Sequence, residues 1–449
     1  MAESYFKNLP AELRILILHE IPDFDSLKSI VLSSREYYRA YLAAREQVID
    51  SVLNTQYGGL IDMADALTVV RSKGLWWRFH QEEAVSVLDA WRRRAEIRKL
   101  NLTPSIQLDG PSGPEQITKI FYLYRVLHFF LEDYAKTVPR PEWIQATQWN
   151  LPLQLSDTEK RRFLRGLCRL YIYCNIFGTV EKNVGYDLEE EEKNEWFVDL
   201  IDNDELPDDY DLFYDTMHPW ECEELGCVWS YLMAKYKFLS TKICTDLRNL
   251  ASACGCDWLC EITPEEERPP AGVADVEDLW DLGVFDRELE SFILLGPEFL
   301  YRVLNNTDYL LQRNLVLINK PPYYPDLGRF IPYDAGFWNS VLYTRKSENQ
   351  FNIPDFEQHW SMLPPFEQPN IGWKMACLVP HTPQQRLWDS FNRARKVGQG
   401  WEWGYAIWDE ERLEGWRGDW VNFLLNSPEL TIERPDLFEL YRGHDDRRI

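Results

Sequence analysis

Four long segments of the chain carry apolar residues at the spacing of an α-helix. They span residues 81–100, 117–134, 158–177 and 220–250, the last as one helix or two. Apolar residues that recur every three or four positions predict an amphipathic helix, whereas strict alternation predicts a strand. Alternating patterns are few, so the sequence predicts a mainly α protein with a large, irregular helical body and long aromatic-rich loops.

The stretch 8–52 predicts three short helices. Pro10 suits the first turn of the first helix, with Asn8 as its cap, because a proline there has no N–H group to lose. One apolar stripe of this helix consists of Leu13, Leu16, Ile17 and Ile21. Another side, with Ile15 and Leu18, is also apolar. A helix that is apolar on two sides must bury both, so one side needs a surface elsewhere in the chain or on a partner.

Pro22 ends the first helix, and Asp25 and Ser26 offer a cap for the second. The second helix is predicted from Leu27, Ile30 and Val31, and the third from Tyr37, Tyr41, Val48 and Val52. A unit this short has too little core to be very stable alone. We therefore expect it to dock on the rest of the chain.

The same stretch resembles the F-box motif, in the version found in large families of fungal proteins. The residues that carry the resemblance are Leu9, Pro10, Glu12, Leu13, Ile17, Ile21, Pro22, Leu27, Ile30, Leu32, Arg35, Tyr37, Tyr38 and Tyr41. Tyr37 stands where many members have Trp, and Ser34 where many have Cys. In that family the three helices clasp the Skp-type adaptor of a cullin-based ubiquitin ligase. A plain helical subdomain packed on the rest of the chain is the alternative interpretation.

The resemblance implies an apolar adaptor-binding surface. Its contact residues would be Leu9, Pro10, Leu13, Ile17, Ile21, Pro22, Leu27, Ile30 and Leu32. The implied function is that of a non-catalytic, substrate-recruiting subunit of a Skp–cullin–F-box E3 ubiquitin ligase. Its partners would be the Skp-type adaptor, through it a cullin, and an unknown protein substrate. Two rival functions stay open: an enzyme with an unrecognised pocket among the aromatic C-terminal loops, and a helical scaffold whose F-box is vestigial.

Breaks in composition divide the chain into three predicted units. The glycine pair at 58–59 ends an adaptor-binding unit of residues 1–57, and a proline- and acid-rich stretch at 264–274 follows a helical body of residues 58–263. The remaining unit, residues 264–449, is rich in loops and aromatic side chains. Large rings need burial, so we expect this unit to pack on the body.

The chain is strongly acidic, with 48 Lys and Arg against 73 Asp and Glu and a formal net charge of −25. This charge would repel phosphate backbones and anionic membrane surfaces, so no nucleic-acid or membrane partner is expected, and a basic protein surface is the natural complement. No apolar run approaches the ~20 residues of a membrane helix, and the first ten residues lack the features of a signal peptide. Because no signal peptide is predicted, we interpret the nine cysteines as reduced thiols of a protein in the cytoplasm or nucleus.

No pattern in the sequence predicts a catalytic, cofactor or metal site. The phosphate-binding, dinucleotide-binding, hydrolase and zinc-protease motifs do not occur. The acidic tract 199–215 does not match a calcium loop, which needs Gly at its sixth position and Glu at its twelfth. The spacing of five cysteines is too irregular for a typical zinc site, so buried thiols are the better interpretation. These are Cys222, Cys227, Cys254, Cys256 and Cys260.

The densest group of aromatic residues lies near the C-terminus. Its tract 400–409 contains a G-Y-x-x-W-D element that resembles C-terminal segments of many fungal F-box-like proteins. Interfaces concentrate affinity in Trp and Tyr, so a target-docking site is predicted here, with residues 409–411 as an acidic rim. The predicted docking residues are Trp401, Trp403, Tyr405, Trp408 and Trp416. The alternative is that these rings close the core of the last unit.

Overall fold

The computed structural model describes residues 9–57, 60–77, 79–99, 114–141, 144–181, 213, 217–254, 289, 292–319, 360–377 and 401–416. Helices make up most of these residues, and the described ranges contain no strand. The predicted mainly α class is therefore confirmed. Asn8, almost all of the acidic tract 199–215 and the predicted boundary at 264–274 lie outside the described residues.

Four helices, rather than the predicted three, build the described part of the N-terminal unit, residues 9–57. They are α1 (Ala11–His19), α2 (Phe24–Ser33), α3 (Arg35–Ala43) and α4 (Arg45–Tyr57). The predicted third helix breaks at Ala44, whose backbone leaves the helical conformation with φ −129° and ψ 30°. The break turns α4 back onto α1, so that Val48 and Val52 reach the core of the unit. A continuous helix would carry both valines away from α1.

The helices of the body include the long segments read from the sequence. They are α5 (Met63–Ser72), α6 (Gln81–Lys99), α7 (Pro114–Thr137), α8 (Asp157–Phe177), α9 (Pro219–Cys254), α10 (Gly296–Leu304), α11 (Tyr309–Ile318) and α12 (Ile371–Cys377). The segment predicted as one helix or two is the single helix α9. Among the described residues, no helix combines the length and the apolar character that a membrane crossing requires.

Capping side chains fix where several helices begin. Asp23 caps α2 by accepting a hydrogen bond from the backbone N–H of Ser26 at 2.7 Å, so the cap lies two residues before the predicted Asp25. Ser34 caps α3 by accepting from the N–H of Glu36 at 3.2 Å. A capping box at the start of α8 satisfies two N–H groups that would otherwise lack partners.

The N-terminal unit has a core of its own, built from residues of all four helices and their connections. Its buried members are Leu18, Ile21, Leu27, Val31, Tyr37, Ala40, Ala44, Val48 and Val52. Two hydrogen bonds tie α4 to the turn between α1 and α2. The Ser51 hydroxyl donates to the carbonyl of His19 at 2.8 Å, and the N–H of Phe24 donates to the side-chain carbonyl of Gln56 at 3.1 Å.

A small apolar cluster docks the N-terminal unit on the body, as expected for a unit with so few core residues. Its buried members are Ile49 of α4, Leu67 of α5, and Ile117, Ile120 and Tyr124 of α7. Phe24 of α2 meets Phe121 of α7 edge to face, with ring centroids 3.8 Å apart. The two parts are therefore joined through α2 and α4 of the N-terminal unit and α5 and α7 of the body.

Helix α8 lies at the centre of the body and is buried along most of its length. It packs most extensively against α9, and it also contacts α5, α7 and α10. One apolar core runs from Ala66 of α5 to Trp416 near the C-terminus. Within the described ranges, the predicted units 58–263 and 264–449 therefore share a single core.

We expect Leu18→Ala to destabilise the protein much more than Leu16→Ala. Leu18 is fully buried, whereas Leu16 is exposed on the same helix. A buried Leu→Ala change costs about 2–5 kcal/mol, while exposed substitutions usually stay within about 0.5 kcal/mol. Urea unfolding followed by circular dichroism gives both free energies of unfolding. Equal losses would contradict this orientation of α1.

Candidate functional site

Large apolar side chains are exposed on the N-terminal unit, although the unit has a buried core of its own. They are Leu13 (45% exposed), Leu16 (59%), Leu32 (72%), Tyr38 (47%) and Leu42 (53%). We call these five side chains the outer apolar surface. Contiguous exposed apolar residues are typical of an interaction site, and the pairs Leu13 with Leu16 and Tyr38 with Leu42 each share one helix face. Leu13 and Leu16 of α1 thus remain uncovered, as the two-sided pattern of that helix predicts.

The nine predicted adaptor contacts fall into three groups. Pro10, Leu13, Pro22 and Leu32 are exposed. Leu9, Ile17 and Ile30 are partly buried. Ile21 and Leu27 are buried in the core of the unit. A side chain that fills this core is not available to a partner, so Ile21 and Leu27 are corrected from contact residues to core residues.

Three members of the outer apolar surface lie outside the predicted contact set. Leu16 belongs to the apolar stripe of α1, and Tyr38 and Leu42 are four residues apart on α3, where positions so spaced share a face. The sequence shows this spacing, but it does not show which face of α3 is exposed. Of the adjacent tyrosines, Tyr37 is buried and Tyr38 is exposed.

The five rings predicted to dock a target lie in the core of the body. Trp401, Trp403, Tyr405, Trp408 and Trp416 are all buried. Tyr134 of α7 stacks on both Phe163 and Trp408, with centroid separations of 4.4 and 5.8 Å. The docking prediction for these rings does not hold, because residues of the body cover them. The core-closing alternative describes them instead.

The glycine and tyrosine of the G-Y-x-x-W-D element fit tightly against α7 and α9. Gly404 has a φ of +73°, and a Cβ atom there would lie 2.1 Å from the Tyr134 hydroxyl. The Tyr405 hydroxyl donates to a carboxylate oxygen of Glu223 at 2.7 Å, and the indole N–H of Trp401 donates to the same oxygen. These two bonds attach the tract to the first turns of α9.

The backbone carbonyls of the same tract are bound by two buried side chains. Arg162 of α8 donates to the carbonyls of Ile407 and Trp408, both at 3.1 Å. Asn370 donates to the carbonyls of Tyr405 and Trp408, at 2.7 and 2.8 Å. Unpaired carbonyls would be costly in a dry core, so these two side chains allow the tract to enter it.

Charged residues are buried between α8 and α9. Arg165 donates two hydrogen bonds to the carboxylate of Glu224, at 2.7 and 2.6 Å. Arg165 and Arg169 both pair with Glu221, at 3.3 and 2.8 Å. Ions taken out of water are tolerated only where they are paired, so these contacts fix how α8 lies against α9.

A second group of ions joins the start of α8 to the C-terminal tract. Arg162 pairs with Asp409 at 3.0 Å. The carboxylate of Glu159 accepts from Arg412 at 2.6 and 2.8 Å and from the N–H of Asp409 at 3.0 Å. We call the two groups together the buried charge cluster, and it contains Glu159, Arg162, Arg165, Arg169, Glu221, Glu224, Asp409 and Arg412.

Two carboxylates of the buried charge cluster, Glu221 and Glu224, have pKa values shifted in opposite directions. Burial alone would raise the pKa of Glu221, but the charges of Arg169 and Arg165 lower it well below its ordinary value. In Glu224 burial outweighs the effect of Arg165 and raises the pKa. Both carboxylates are nevertheless engaged by arginines. We therefore assign the cluster a structural role.

The thiols of Cys222 and Cys227 are buried and free, as predicted. Burial raises the pKa of both thiols, which disfavours the thiolate form that binds metals. Cys256, Cys260 and the side chain of Cys254 lie outside the described residues. Within the described ranges, no three side chains of His, Cys, Asp or Glu gather in the manner of a metal site.

Comparisons with known proteins provide no relative for this chain. No protein-family model, no curated protein and no solved structure matches it. The resemblance to the F-box motif therefore rests on the sequence of the N-terminal helices alone.

We expect Gly404→Ala to destabilise the protein more than Gly74→Ala. Both glycines have positive φ angles, +73° and +83°, which cost a residue with a Cβ atom about 1–2 kcal/mol. At Gly404 the new methyl group would also overlap the Tyr134 hydroxyl, whereas nothing lies within 4 Å at Gly74. Overpacking adds about 1–3 kcal/mol. Thermal unfolding of both variants measures the difference, and equal losses would contradict the contact with Tyr134.

We expect Glu221→Gln to destabilise the protein most strongly near neutral pH. Because the folded-state pKa of Glu221 is lowered, its ionised form stabilises the fold above the unfolded-state pKa of about 4.3. This contribution is lost as the pH falls below that value towards the folded-state pKa. Breaking a buried ion pair costs about 3–5 kcal/mol. Urea unfolding at about pH 7 and about pH 3 should give a larger difference from the wild type at the higher pH.

The exposed Glu402→Gln variant is the matched control, because it removes the same charge from a solvent-facing position. It should change the free energy of unfolding little at either pH. A Glu221→Gln effect of the same size at both pH values would contradict the pairing of Glu221 with Arg165 and Arg169.

Proposed function

We propose that this chain is a non-catalytic, substrate-recruiting subunit of a Skp–cullin–F-box E3 ubiquitin ligase. Helices α1–α4 bind a Skp-type adaptor, which connects the chain to a cullin. The ubiquitin-transfer chemistry takes place on other subunits of the complex. Such a subunit works in the cytoplasm or the nucleus.

The outer apolar surface is the observation that supports this proposal. The four short helices enclose one core and still expose Leu13, Leu16 and Leu32. Apolar area that remains in water is unfavourable by roughly 25 cal/mol per Å², so a folded partner that covers it gains that free energy. The F-box-like motif supplies the identity of the partner, and the exposed leucines supply a surface that it can bind.

Within this surface, α1 provides the clearest contact line. Leu13 and Leu16 lie three residues apart, a spacing that places them on one face of the helix. Ile17 adjoins them and is only partly buried, since it also packs on the core of the unit. A line of this kind suits the groove or helix face of a second protein.

The protein substrate binds elsewhere on the chain than the five C-terminal rings. These rings are buried and several of their polar groups are bonded within the body. Exposing them for a target would disrupt the core. Substrate recruitment therefore uses a different, exposed part of the molecule.

We expect the double variant Leu13→Gln/Leu16→Gln to lose adaptor binding while it remains folded. Both side chains are exposed, and fully burying a leucine side chain under a partner contributes about 1.5–3 kcal/mol. The affinity of the full-length chain for a purified Skp-type adaptor, measured by calorimetry, should fall at least about tenfold, since 1.4 kcal/mol corresponds to tenfold.

The matched control is Leu311→Gln/Met362→Gln, which changes two exposed apolar residues of the body. It should bind the adaptor like the wild type. A wild-type chain that does not bind the adaptor would refute the proposed function and favour a helical scaffold. Equal binding by both double variants would show that α1 is not the contact.

A further inference from the structure

The outer face of α3 carries cationic and apolar side chains together. Arg35, Tyr38, Arg39 and Leu42 are all exposed. Their spacing of three, one and three residues places them along one face of the helix. Tyr38 and Leu42 are two of the five members of the outer apolar surface, so the two arginines border the surface proposed to bind the adaptor.

The net charge of this region is positive, whereas that of the whole chain is negative. Residues 25–46 contain Lys28, Arg35, Arg39 and Arg45 against Asp25, Glu36 and Glu46, which gives 4 − 3 = +1 in a chain whose formal net charge is −25. All four cations are exposed. A basic patch attracts an acidic partner, even where the rest of the protein is acidic.

None of these four cations has a hydrogen bond or an ion pair of its side chain within the described part of the chain. The arginines of α8, by contrast, pair with Glu221, Glu224 and Asp409. Acidic groups abound in the chain, yet the surface of α2 and α3 leaves its cations uncovered. The guanidinium groups of Arg35 and Arg39 are therefore available to carboxylates of another molecule.

We propose that the partner of α3 is an acidic segment of the adaptor, with carboxylates that flank an apolar side. This inference rests on the proposed function, because it assigns a charge to the adaptor surface that meets α3. Tyr38 and Leu42 cover its apolar side, while Arg35 and Arg39 pair with its carboxylates. Arginine suits this role because its planar group can bind a carboxylate through two parallel hydrogen bonds.

The charge of the surface argues against two other occupants. A second copy of the chain that used the same face in a two-fold contact would bring two patches of like charge together. A nucleic acid would meet only four cations on a chain with a net charge of −25, and its phosphates would be repelled by the rest of the molecule.

Charge complementarity of this kind acts mainly on the rate of association. The decisive variant is Arg35→Glu/Arg39→Glu in the full-length chain, with a purified Skp-type adaptor as the partner. Arg35 is the first residue of α3, where a glutamate favours the helix dipole, and Arg39 is exposed, so the variant should fold. Unfolding followed by circular dichroism verifies this.

The control with the same change in net charge is Arg125→Glu/Lys136→Glu, at two exposed positions of α7. Stopped-flow mixing measures the association rate constant at about 50 mM and about 500 mM salt, since ions at the higher concentration screen exposed charges within a few ångströms. We expect the α3 variant to associate at least about tenfold more slowly at low salt and the control less than about twofold. The difference should disappear at high salt.

An α3 variant that associates like its control at low salt would overturn the inference. If Leu13→Gln/Leu16→Gln still abolishes binding in that case, the proposed function stands and only the acidic partner segment is refuted. A wild-type chain that does not bind the adaptor would refute both. Faster association of the α3 variant would indicate a basic partner surface and would also overturn the inference.

Discussion

The pairing of Arg165 and Arg169 on α8 with Glu221 and Glu224 on α9 is the interaction on which the body depends. A buried guanidinium group is costly unless a carboxylate lies beside it. Few relative positions of α8 and α9 therefore keep these four side chains paired. Apolar packing alone would tolerate sliding of one helix along the other, because one aliphatic contact can replace another. The ion pairs remove that freedom. The remaining helices then pack on a pair whose register is already set.

The C-terminal tract and the N-terminal unit place their side chains and polar groups in different surroundings. In the body, even the carbonyls of the C-terminal tract are bonded by Arg162 and Asn370. On the N-terminal unit, leucines and arginines remain in contact with water. These uncovered side chains of the N-terminal unit are the ones that the proposed function assigns to a partner.

The sequence predicted the long helices well because apolar spacing depends only on residues close together in the chain. It placed the cap of α2 two residues too late and missed the break at Ala44, where no Gly or Pro marks the turn. The resemblance to the F-box motif placed Ile21 and Leu27 in the contact set, because a motif does not show which of its apolar residues point inward. The burial of Trp401 and Tyr405 depends on Glu223, which is 178 and 182 residues away in the sequence. Contacts at such separations leave no local pattern.

The bond between Arg162 and Asp409 joins residues that are 247 positions apart, and this distance has a consequence for biosynthesis. A ribosome completes α8 long before it adds the carboxylate that Arg162 requires. During that interval the nascent body holds an arginine without its partner and lacks the rings that close the core. Elongation at about 5–20 residues per second makes the interval some tens of seconds. Termination before residue 401 would therefore leave a core that lacks the rings from Trp401 to Trp416, rather than a shorter version of the same protein.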